Sequence, residues 1–353
     1  MRRALEHARR GLGRTTPNPV VGACVVSDDG IVVGQGSHER AGHPHAEIVA
    51  LEEAGSLARG ATLYCTLEPC VHVGRTGPCT ERVIAAGIRR VVAAMEDPDP
   101  RVRGRGFAAL RARGIEVATG VGHEAAVRLN QPFLTTTREG RPFVILKAAT
   151  SLDGRIAARP GERTPLTSAP ALRHAQYARA RVDAVAVGSE TVLVDDPLLT
   201  VREVYRERPL ARVIFDRRLR VPPTARLLAT LAAGPVIILT SPARAAAEQA
   251  DALRQAGATV LAVPGPSLGE ALACLPALDV QSLLLEGGAQ VHRAAWDGRL
   301  VDYVQLYVAP VHVGAEGVPL LEGRRFSPAA LIERRVRRLG PDVVIEGYVH
   351  RPH

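Results

Sequence analysis

Aromatic residues are scarce in this sequence, at only 3 % of 353 residues. Proteins that bind RNA or single-stranded DNA use aromatic side chains to stack on bases, so this scarcity argues against a nucleic-acid partner. The formal net charge of +9 does not reverse the argument, because it comes from arginines that are spread along the chain and interleaved with acids. The charge favours small anionic, phosphate-bearing substrates, and the cores are expected to consist of Ala, Val and Leu.

Cysteines and long apolar runs are also few. Three of the five cysteines lie between Cys65 and Cys79, which is not the pattern of a disulfide framework. No apolar run approaches the roughly 20 residues of a membrane span, and Met1 to Leu12 is typical of a basic amphipathic helix rather than an export signal. We therefore expect a cytoplasmic protein with no membrane partner, long enough for two domains.

The cysteines that are present belong to a pattern with chemical meaning. His45 and Glu47 are one residue apart, and two thiols follow at Cys70 and Cys79. Zinc takes imidazole and thiolate ligands and leaves one position to water in catalytic sites. His-x-Glu followed by Pro-Cys is typical of zinc-dependent base deaminases, in which the glutamate moves protons without binding the metal. The pattern predicts zinc on His45, Cys70 and Cys79, with Glu47 as the catalytic acid and base.

Other interpretations of this region remain open. Eight residues separate Cys70 from Cys79, whereas most base deaminases have two. Cys65 is a further thiol but is expected to point into the core, and His43 and His72 are nearby loop histidines. The simplest alternative is a set of ordinary small buried residues beside a surface histidine.

Local patterns place the proposed ligands at the ends of elements. Ile48, Val49, Leu51 and Ala54 recur at helical spacing, so His45 and Glu47 are expected in the first turn of a helix. Residues 62–67 predict a strand that Pro69 ends, and a second helix is predicted to begin at Cys79. The ligands are therefore expected where two helix starts and one strand end converge.

Three segments of this half resemble one known family. Residues 66–79 match the T-L-E-P-C-x-H-x-G-R-T-x-P-C stretch of the bacterial bifunctional riboflavin-biosynthesis deaminase–reductases, in which the long loop between the thiols is normal. Residues 16–22 and 40–47 are similar to two further signatures of that family. The resemblance implies a cytidine-deaminase-like three-layer α/β/α domain that deaminates 2,5-diamino-6-(5-phosphoribosylamino)pyrimidin-4-one, with Asn18 binding the substrate.

One residue breaks the preference for arginine. Lys147 is the single lysine among 45 basic side chains, and it lies in an apolar strand pattern at residues 143–149. A single charged residue in such a strand usually has a structural or functional role, although its presence by chance is the alternative. The stretch from Lys147 to Arg155 resembles the K-x-x-x-S-L-D-G-R segment of the reductase half of the same family.

The second half alternates strands and helices and lacks a G-x-G-x-x-G motif. Strands are predicted near residues 182–187, 212–215, 236–239, 259–263 and 282–285, with antiparallel closing strands at 303–308 and 343–348. Helices are predicted near 172–179, 243–255 and 268–275. Glu286-Gly287-Gly288-Ala289 follows a strand, and such a turn lets backbone N–H groups approach a phosphate, although a plain strand-to-helix turn is the commoner explanation.

The resemblance assigns roles in this half, which it implies to be a dihydrofolate-reductase-like α/β domain. Residues 191–202 match the family segment T-V-x-x-D-D-P-x-L-T-x-R. The residues implied to bind NADPH are Ala149, Thr191, Asp195, Gly287, Gly288 and Ala289. Those implied to bind the reductase substrate are Lys147, Asp153, Arg179, Leu199, Arg202 and Glu286.

Three residues depart from the family pattern. Arg163 stands where a substrate-binding serine is common, Pro165 where a tryptophan flanks the cofactor, and Arg217 where serine is frequent. These departures keep a second hypothesis open, namely a deaminase whose reductase-like half is catalytically silent and serves binding or dimerisation. A deaminase acting on tRNA or free bases is a third, which the scarcity of aromatics disfavours.

The predicted organisation is a deaminase domain at residues 1–138, a linker at 139–142 and a reductase domain at 143–353. The linker follows from the polar stretch 135–142, which ends in Gly140, Arg141 and Pro142. The family further implies one zinc ion per chain, NADPH as the second cofactor, a phosphoribosylaminopyrimidine as substrate, and a homodimer or larger homo-oligomer.

Overall fold

The structure is a computed structural model that describes residues 1–71, 77–324 and 326–352. His72, one of the alternative ligands considered above, lies outside these residues. By the density of internal contacts the chain divides into two compact units, residues 1–139 and 140–351. No helix within the described ranges is long and apolar enough to cross a membrane.

The first unit is built on one mixed sheet. Its strands are β1 (Gly22–Val26), β2 (Val32–Ser37), β3 (Thr62–Cys65), β4 (Arg90–Ala93) and β5 (Glu116–Thr119). Its α-helices are α1 (Arg2–Ala8), α2 (Ala46–Ala54), α3 (Cys79–Ala85), α4 (Arg105–Arg111), α5 (His123–Leu129) and α6 (Gln131–Glu139). The sheet order is β2-β1-β3-β4-β5; β1 is antiparallel to β2 and β3, and β3, β4 and β5 are parallel.

Two glycines show that helices cover both faces of this sheet. A Cβ atom on Gly22 would lie 2.0 Å from the Ala4 carbonyl oxygen in α1, and one on Gly36 would lie 2.4 Å from the Ala46 carbonyl oxygen in α2. Gly36 pairs with Ala23, the neighbour of Gly22, and successive residues of a strand point to opposite faces. The two helices therefore pack on opposite faces, as expected for three α/β/α layers.

The second unit is built on a nine-stranded sheet of order β11-β10-β9-β8-β12-β6-β13-β16-β15. Its strands are β6 (Phe143–Thr150), β8 (Ala184–Gly188), β9 (Ala211–Phe215), β10 (Val236–Thr240), β11 (Thr259–Ala262), β12 (Ser282–Gly287), β13 (Tyr303–Val308), β15 (Ile332–Leu339) and β16 (Asp342–Tyr348), while β7 (Arg155–Ala157) and β14 (Val318–Pro319) pair separately. Its α-helices are α7 (Ala169–Ala180), α8 (Ser189–Asp195), α9 (Pro242–Ala245), α10 (Glu248–Gln255), α11 (Leu268–Ala273) and α12 (Ala289–Asp297). The first seven strands of this order, from β11 at the edge to β13, are parallel to one another. Strand β16 is antiparallel to both of its neighbours, β13 and β15.

The central strands of this sheet are buried on both faces. In β8, Ala184 and Ala186 belong to one apolar cluster, whereas Val185 and Val187 belong to another. In β6, Val144, Leu146 and Ala148 face the first cluster, and Lys147 lies on the opposite side. Parallel sheets of this kind bind ligands at the edge formed by the carboxyl ends of their strands. Strands β8, β12 and β6 are neighbours, so their carboxyl ends lie together at this edge.

The structure corrects three predicted elements and contains others that were not predicted. The segment 135–142 is not a loop throughout, because α6 continues to Glu139 and leaves only residues 140–142 before β6. The single helix predicted at 243–255 is two helices, α9 and α10, and the helix predicted at 1–12 ends at Ala8, followed by a 3₁₀ turn. Strand β15 was not predicted, because its four arginines give no apolar alternation and most of it is exposed.

Candidate active sites

The first candidate site is formed by His45, Cys70 and Cys79. His45 is the N-cap residue of α2, Cys79 is the first residue of α3, and Cys70 follows β3. The His45 Nδ1 atom lies 3.1 Å from the Cys79 Sγ atom and 3.6 Å from the Cys70 Sγ atom, and all three ligand atoms are within 4.8 Å of one another. A tetrahedral zinc ion with bonds of roughly 2.0–2.3 Å separates its ligands by about 3.3–3.8 Å, so the three side chains fit such an ion.

Charge in the cluster also suits a cation. Hydrogen bonding with Cys79 and with the His45 imidazole lowers the pKa of the Cys70 thiol, against the opposing effect of burial. The Cys79 backbone N–H also points to Cys70 Sγ at 3.4 Å. The hydrogen bond between the His45 imidazole and the Cys70 sulfur raises the pKa of His45. One thiolate is therefore favoured even without metal, and thiolates are the form that binds zinc.

Glu47 lies beside the cluster without belonging to it. Its side chain is 3 % exposed, and burial raises the pKa of its carboxyl group. A carboxyl group whose pKa is raised by burial can hold and release a proton, which is what a general acid and base must do. Among the described residues, the cluster that can hold a metal contains only His45, Cys70 and Cys79.

A cleft of about 350 Å³ opens next to Glu47 and is lined by Asn18, His38 and His43 among others. His38 Nδ1 lies 3.1 Å from the Pro44 carbonyl oxygen, which requires a proton on Nδ1. Its Nε2 atom then accepts from the Asn18 amide nitrogen at 3.0 Å. This arrangement fixes the Asn18 amide and makes its oxygen available as an acceptor for a ligand in the cleft. His43 lines the cleft but is not part of the metal cluster.

Sequence reasoning missed two buried acidic residues of this cleft. Asp97 is buried, and desolvation raises its pKa to about 7. Glu68 is buried as well and accepts hydrogen bonds from the backbone N–H groups of Asp97, Gly104, Gly106 and Phe107, at 2.8–3.2 Å. Glu68 thus holds the loop that carries Asp97. A signal was present, since Asp97 follows the buried strand β4 and Glu68 precedes Pro69-Cys70.

The second candidate site centres on Glu286, at the end of β12. Arg179 from α7 binds this carboxylate with two hydrogen bonds, Nε to Oε1 at 2.6 Å and Nη2 to Oε2 at 2.7 Å. Lys147 Nζ approaches Oε2 at 3.8 Å. Burial opposes ionisation of Glu286, but the two cations outweigh it and lower the pKa to about 2. Glu286 is therefore an anion at neutral pH that holds two cations at the floor of the site.

A cleft of about 780 Å³ is lined by Lys147 and Glu286 among others. All six residues predicted to bind the nucleotide line it, namely Ala149, Thr191, Asp195, Gly287, Gly288 and Ala289. Gly288 is the N-cap residue of α12, whose first backbone N–H groups have no partner within the helix. Arg163 and Pro165 line the same cleft, whereas Arg217 is not among its lining residues and instead donates to the Gly265 carbonyl oxygen at 3.0 Å.

Four of the predicted substrate residues, Asp153, Arg179, Leu199 and Arg202, are not in the cleft lining. Asp153 accepts hydrogen bonds from the Val313 and Gly314 backbone N–H groups at 3.1 and 2.8 Å. Leu199 is buried, with a positive φ of 53°, and the Arg202 backbone N–H donates to Gln176 Oε1 at 2.9 Å. The segment 199–202 nevertheless reaches the site, because Arg179 Nη1 donates to the Thr200 carbonyl oxygen at 3.0 Å.

The two clefts define a zinc-site deaminase joined in one chain to an α/β reductase. Residues 1–95 match the family model described as the cytidine and deoxycytidylate deaminase zinc-binding region, and residues 142–345 match that of the RibD C-terminal domain. The chain belongs to the RibD family of bifunctional riboflavin-biosynthesis deaminase–reductases. This confirms the family, the fold class and the two enzymatic activities predicted from the sequence, and the reductase domain implies a nucleotide cofactor.

Similarity to individual relatives extends over nearly the whole chain. The riboflavin biosynthesis protein RibD of Aquifex aeolicus is 42 % identical over 348 residues, covering 98 % of this chain and 96 % of the relative. The riboflavin biosynthesis protein RibD of Escherichia coli is 39 % identical over 365 residues, covering 98 % of this chain and 97 % of the relative. Among solved structures, Acinetobacter baumannii RibD has a TM-score of 0.87 at 36 % identity, covering 99 % of this chain and 98 % of that one.

A further solved structure is the diaminohydroxyphosphoribosylaminopyrimidine deaminase/5-amino-6-(5-phosphoribosylamino)uracil reductase of Thermotoga maritima. Its TM-score is 0.84 at 36 % identity, with coverage of 98 % of this chain and 96 % of that chain. Both solved structures are therefore similar to this chain in the fold of each unit and in amino-acid sequence.

Proposed function

We propose that the first unit deaminates 2,5-diamino-6-(5-phosphoribosylamino)pyrimidin-4-one at its 2-amino carbon. One zinc ion per chain, held by His45, Cys70 and Cys79, would supply an activated water there. Glu47 takes a proton from the attacking water and delivers it to the departing amine, so that water is consumed and ammonia is released. Asn18, fixed by His38, binds the pyrimidine through its amide oxygen. The observation that carries the proposal is the ligand cluster beside a buried, non-ligating carboxyl group.

The second unit is proposed to reduce the ribosyl group of the deaminated product to ribityl. NADPH would supply the hydride when bound in the large cleft. Lys147 and Arg179, both held by Glu286, bind the oxygens of the anionic substrate. The Gly287–Gly288 turn would hold the cofactor phosphates, because the N–H groups at the start of α12 are available there. The proposed enzyme acts in the cytoplasm, where its thiols stay reduced, as a homo-oligomer.

A coupled assay on the full chain tests both halves. The diaminopyrimidine alone should release one ammonia per molecule, in proportion to bound zinc. NADPH oxidation should begin only after this product accumulates, or at once when the deaminated compound is supplied. Oxidation of NADPH with the diaminopyrimidine in a zinc-depleted sample would contradict the proposed order of steps.

Lys147→Arg should impair the reductase step selectively. An arginine fork at this position would compete with Arg179 for the same carboxylate of Glu286, whereas the lysine ammonium stays 3.8 Å away and can turn to substrate. We expect kcat/KM for reduction to fall at least ~10-fold, the typical effect of one charged hydrogen bond. Steady-state kinetics of both half-reactions should show deamination unchanged.

The matched control for this variant is Arg244→Lys, an exchange in the opposite direction on the exposed surface of the same unit. It should alter neither reaction. If Lys147→Arg reduces its substrate as well as the parent protein does, the single lysine has no special role in the site.

Each unit should keep its own cofactor when produced alone. The apolar cluster of the first unit draws only on residues 1–134, and the two large clusters of the second only on residues after 143. Separate cores of this kind usually fold independently. We expect residues 1–139 to retain zinc, measured by metal analysis, and residues 140–353 to bind NADPH, measured by fluorescence. Fragments that fold only when produced together would argue against independent domains.

A further inference from the structure

His292 lies on α12, in the wall of the reductase cleft, and no role has been assigned to it so far. Its side chain is 2 % exposed, and it is close enough to Lys147 and Glu286 to interact with both charges. The residue therefore stands at the meeting point of the cofactor turn, which opens α12, and the cations that face the substrate.

The hydrogen bonding of His292 leaves one nitrogen without a partner. Its Nε2 atom lies 3.3 Å from the Leu285 carbonyl oxygen, and a carbonyl can only accept, so Nε2 carries the proton. In the neutral ring Nδ1 is then an acceptor. Nδ1 is buried and has no hydrogen-bond partner among the described residues. Buried polar atoms in native proteins nearly always have a partner, so an acceptor of this kind points to a donor supplied from outside the chain.

A second proton on the ring does not resolve the missing partner. Burial lowers the pKa of His292 to about 4, and the nearby Lys147 cation adds to this effect while Glu286 opposes it. Glu286 is already bound by both fork nitrogens of Arg179. The imidazole is therefore neutral at physiological pH, and its Nδ1 atom presents a lone pair.

We propose that His292 Nδ1 accepts a hydrogen bond from an N–H or O–H group of a ligand bound in the reductase cleft. The inference rests on the proposed function, which puts two molecules with such donors in this cleft. NADPH carries them on its nicotinamide carboxamide and its riboses, and the substrate carries them on its pyrimidine and its sugar. His292 thus binds an uncharged donor group of the ligand, near the charged residues Lys147, Arg179 and Glu286.

Two amide variants separate this role from a purely structural one. Gln places its amide nitrogen near the position of Nε2, so His292→Gln can keep the bond to the Leu285 carbonyl but offers no acceptor in place of Nδ1. Asn places its amide oxygen near the position of Nδ1, so His292→Asn keeps an acceptor and loses the bond to Leu285. Both variants keep two polar side-chain atoms, as histidine has, which makes them a matched pair.

The measurements are the Kd for NADPH without substrate, the KM of the deaminated pyrimidine, and the melting temperature of the full chain. We expect His292→Gln to melt close to the parent protein and to weaken ligand binding about 10-fold, the scale of one lost hydrogen bond. His292→Asn should bind normally and melt earlier. A weaker Kd for NADPH would assign the donor to the cofactor, and a raised KM with unchanged Kd would assign it to the substrate.

The opposite pattern, with normal binding in His292→Gln and weak binding in His292→Asn, would overturn the inference and leave the Leu285 bond as the function of the ring. Normal binding in both variants would overturn it as well. If His292→Gln does not fold, His292→Leu replaces it as the variant without an acceptor. Equal ligand affinity in His292→Leu and His292→Asn would then overturn the inference. A parent protein that binds no NADPH would instead overturn the proposed reductase function.

Discussion

Glu47→Gln should abolish deamination while the protein still carries its zinc. Gln keeps the size of the side chain but cannot take up or release a proton, and loss of a general acid and base typically slows a reaction by about 10²–10⁴-fold. Zinc should remain because the ligand cluster consists of His45, Cys70 and Cys79. The measurement is the rate of ammonia release per bound zinc, with reduction of the deaminated pyrimidine assayed on the same sample.

Glu52→Gln is a suitable control for this experiment. It makes the same chemical change on the same helix α2, at an exposed residue whose partner is Arg82 at 3.4 Å. Deamination and reduction should both proceed normally in this variant. Near-normal ammonia release by zinc-loaded Glu47→Gln would remove Glu47 from the reaction, and loss of zinc would show that its carboxylate supports the metal.

Cys79→Ala and Cys70→Ala should each lose zinc and, with it, all deaminase activity. Each removes one of the three ligands, and the remaining pair cannot complete a tetrahedral site. In Cys79→Ala the Cys70 thiol also loses a hydrogen-bond partner that favours its thiolate form. Metal content per chain, measured after dialysis, is the direct test. NADPH oxidation with the deaminated pyrimidine should be unaffected.

Cys65→Ala is the matched control, because it is the same substitution at a buried cysteine of the same unit. Cys65 lies on β3, is fully buried, and directs its sulfur to the Val92 carbonyl oxygen at 3.9 Å. Burial raises the pKa of this thiol well above its usual value, which disfavours metal binding. Full zinc in Cys79→Ala combined with loss in Cys65→Ala would show that Cys65 is the ligand.

The metal site could be predicted because its geometry is largely local. His45 and Glu47 are set by one helix start, and Cys70 and Cys79 by a strand end and another helix start, so the spacing of residue types carried the information. The environment of the site was harder to foresee. The raised pKa of Asp97 depends on its burial in the folded unit, which no local sequence pattern indicates.

The reductase site shows the same limit more clearly. Lys147 attracted attention as a single lysine, and Glu286 through its diglycine turn, but the bond between Glu286 and Arg179 joins residues 107 positions apart. His292 offered no signal at all, since a histidine on a helix is usually a satisfied or solvated residue. Only the packing of α12 against β12 shows that one of its nitrogens has no partner in the described chain.

The alternation of β6 sets a distance within the second site. Lys147 and Ala149 lie on the same face of this strand, two residues apart, and both line the large cleft. A strand advances about 3.3 Å per residue, so groups held over these two positions are separated by roughly 7 Å. In the proposed function, the strand therefore sets the spacing between the substrate and the cofactor. A one-residue insertion between them would turn one of the two positions toward the core.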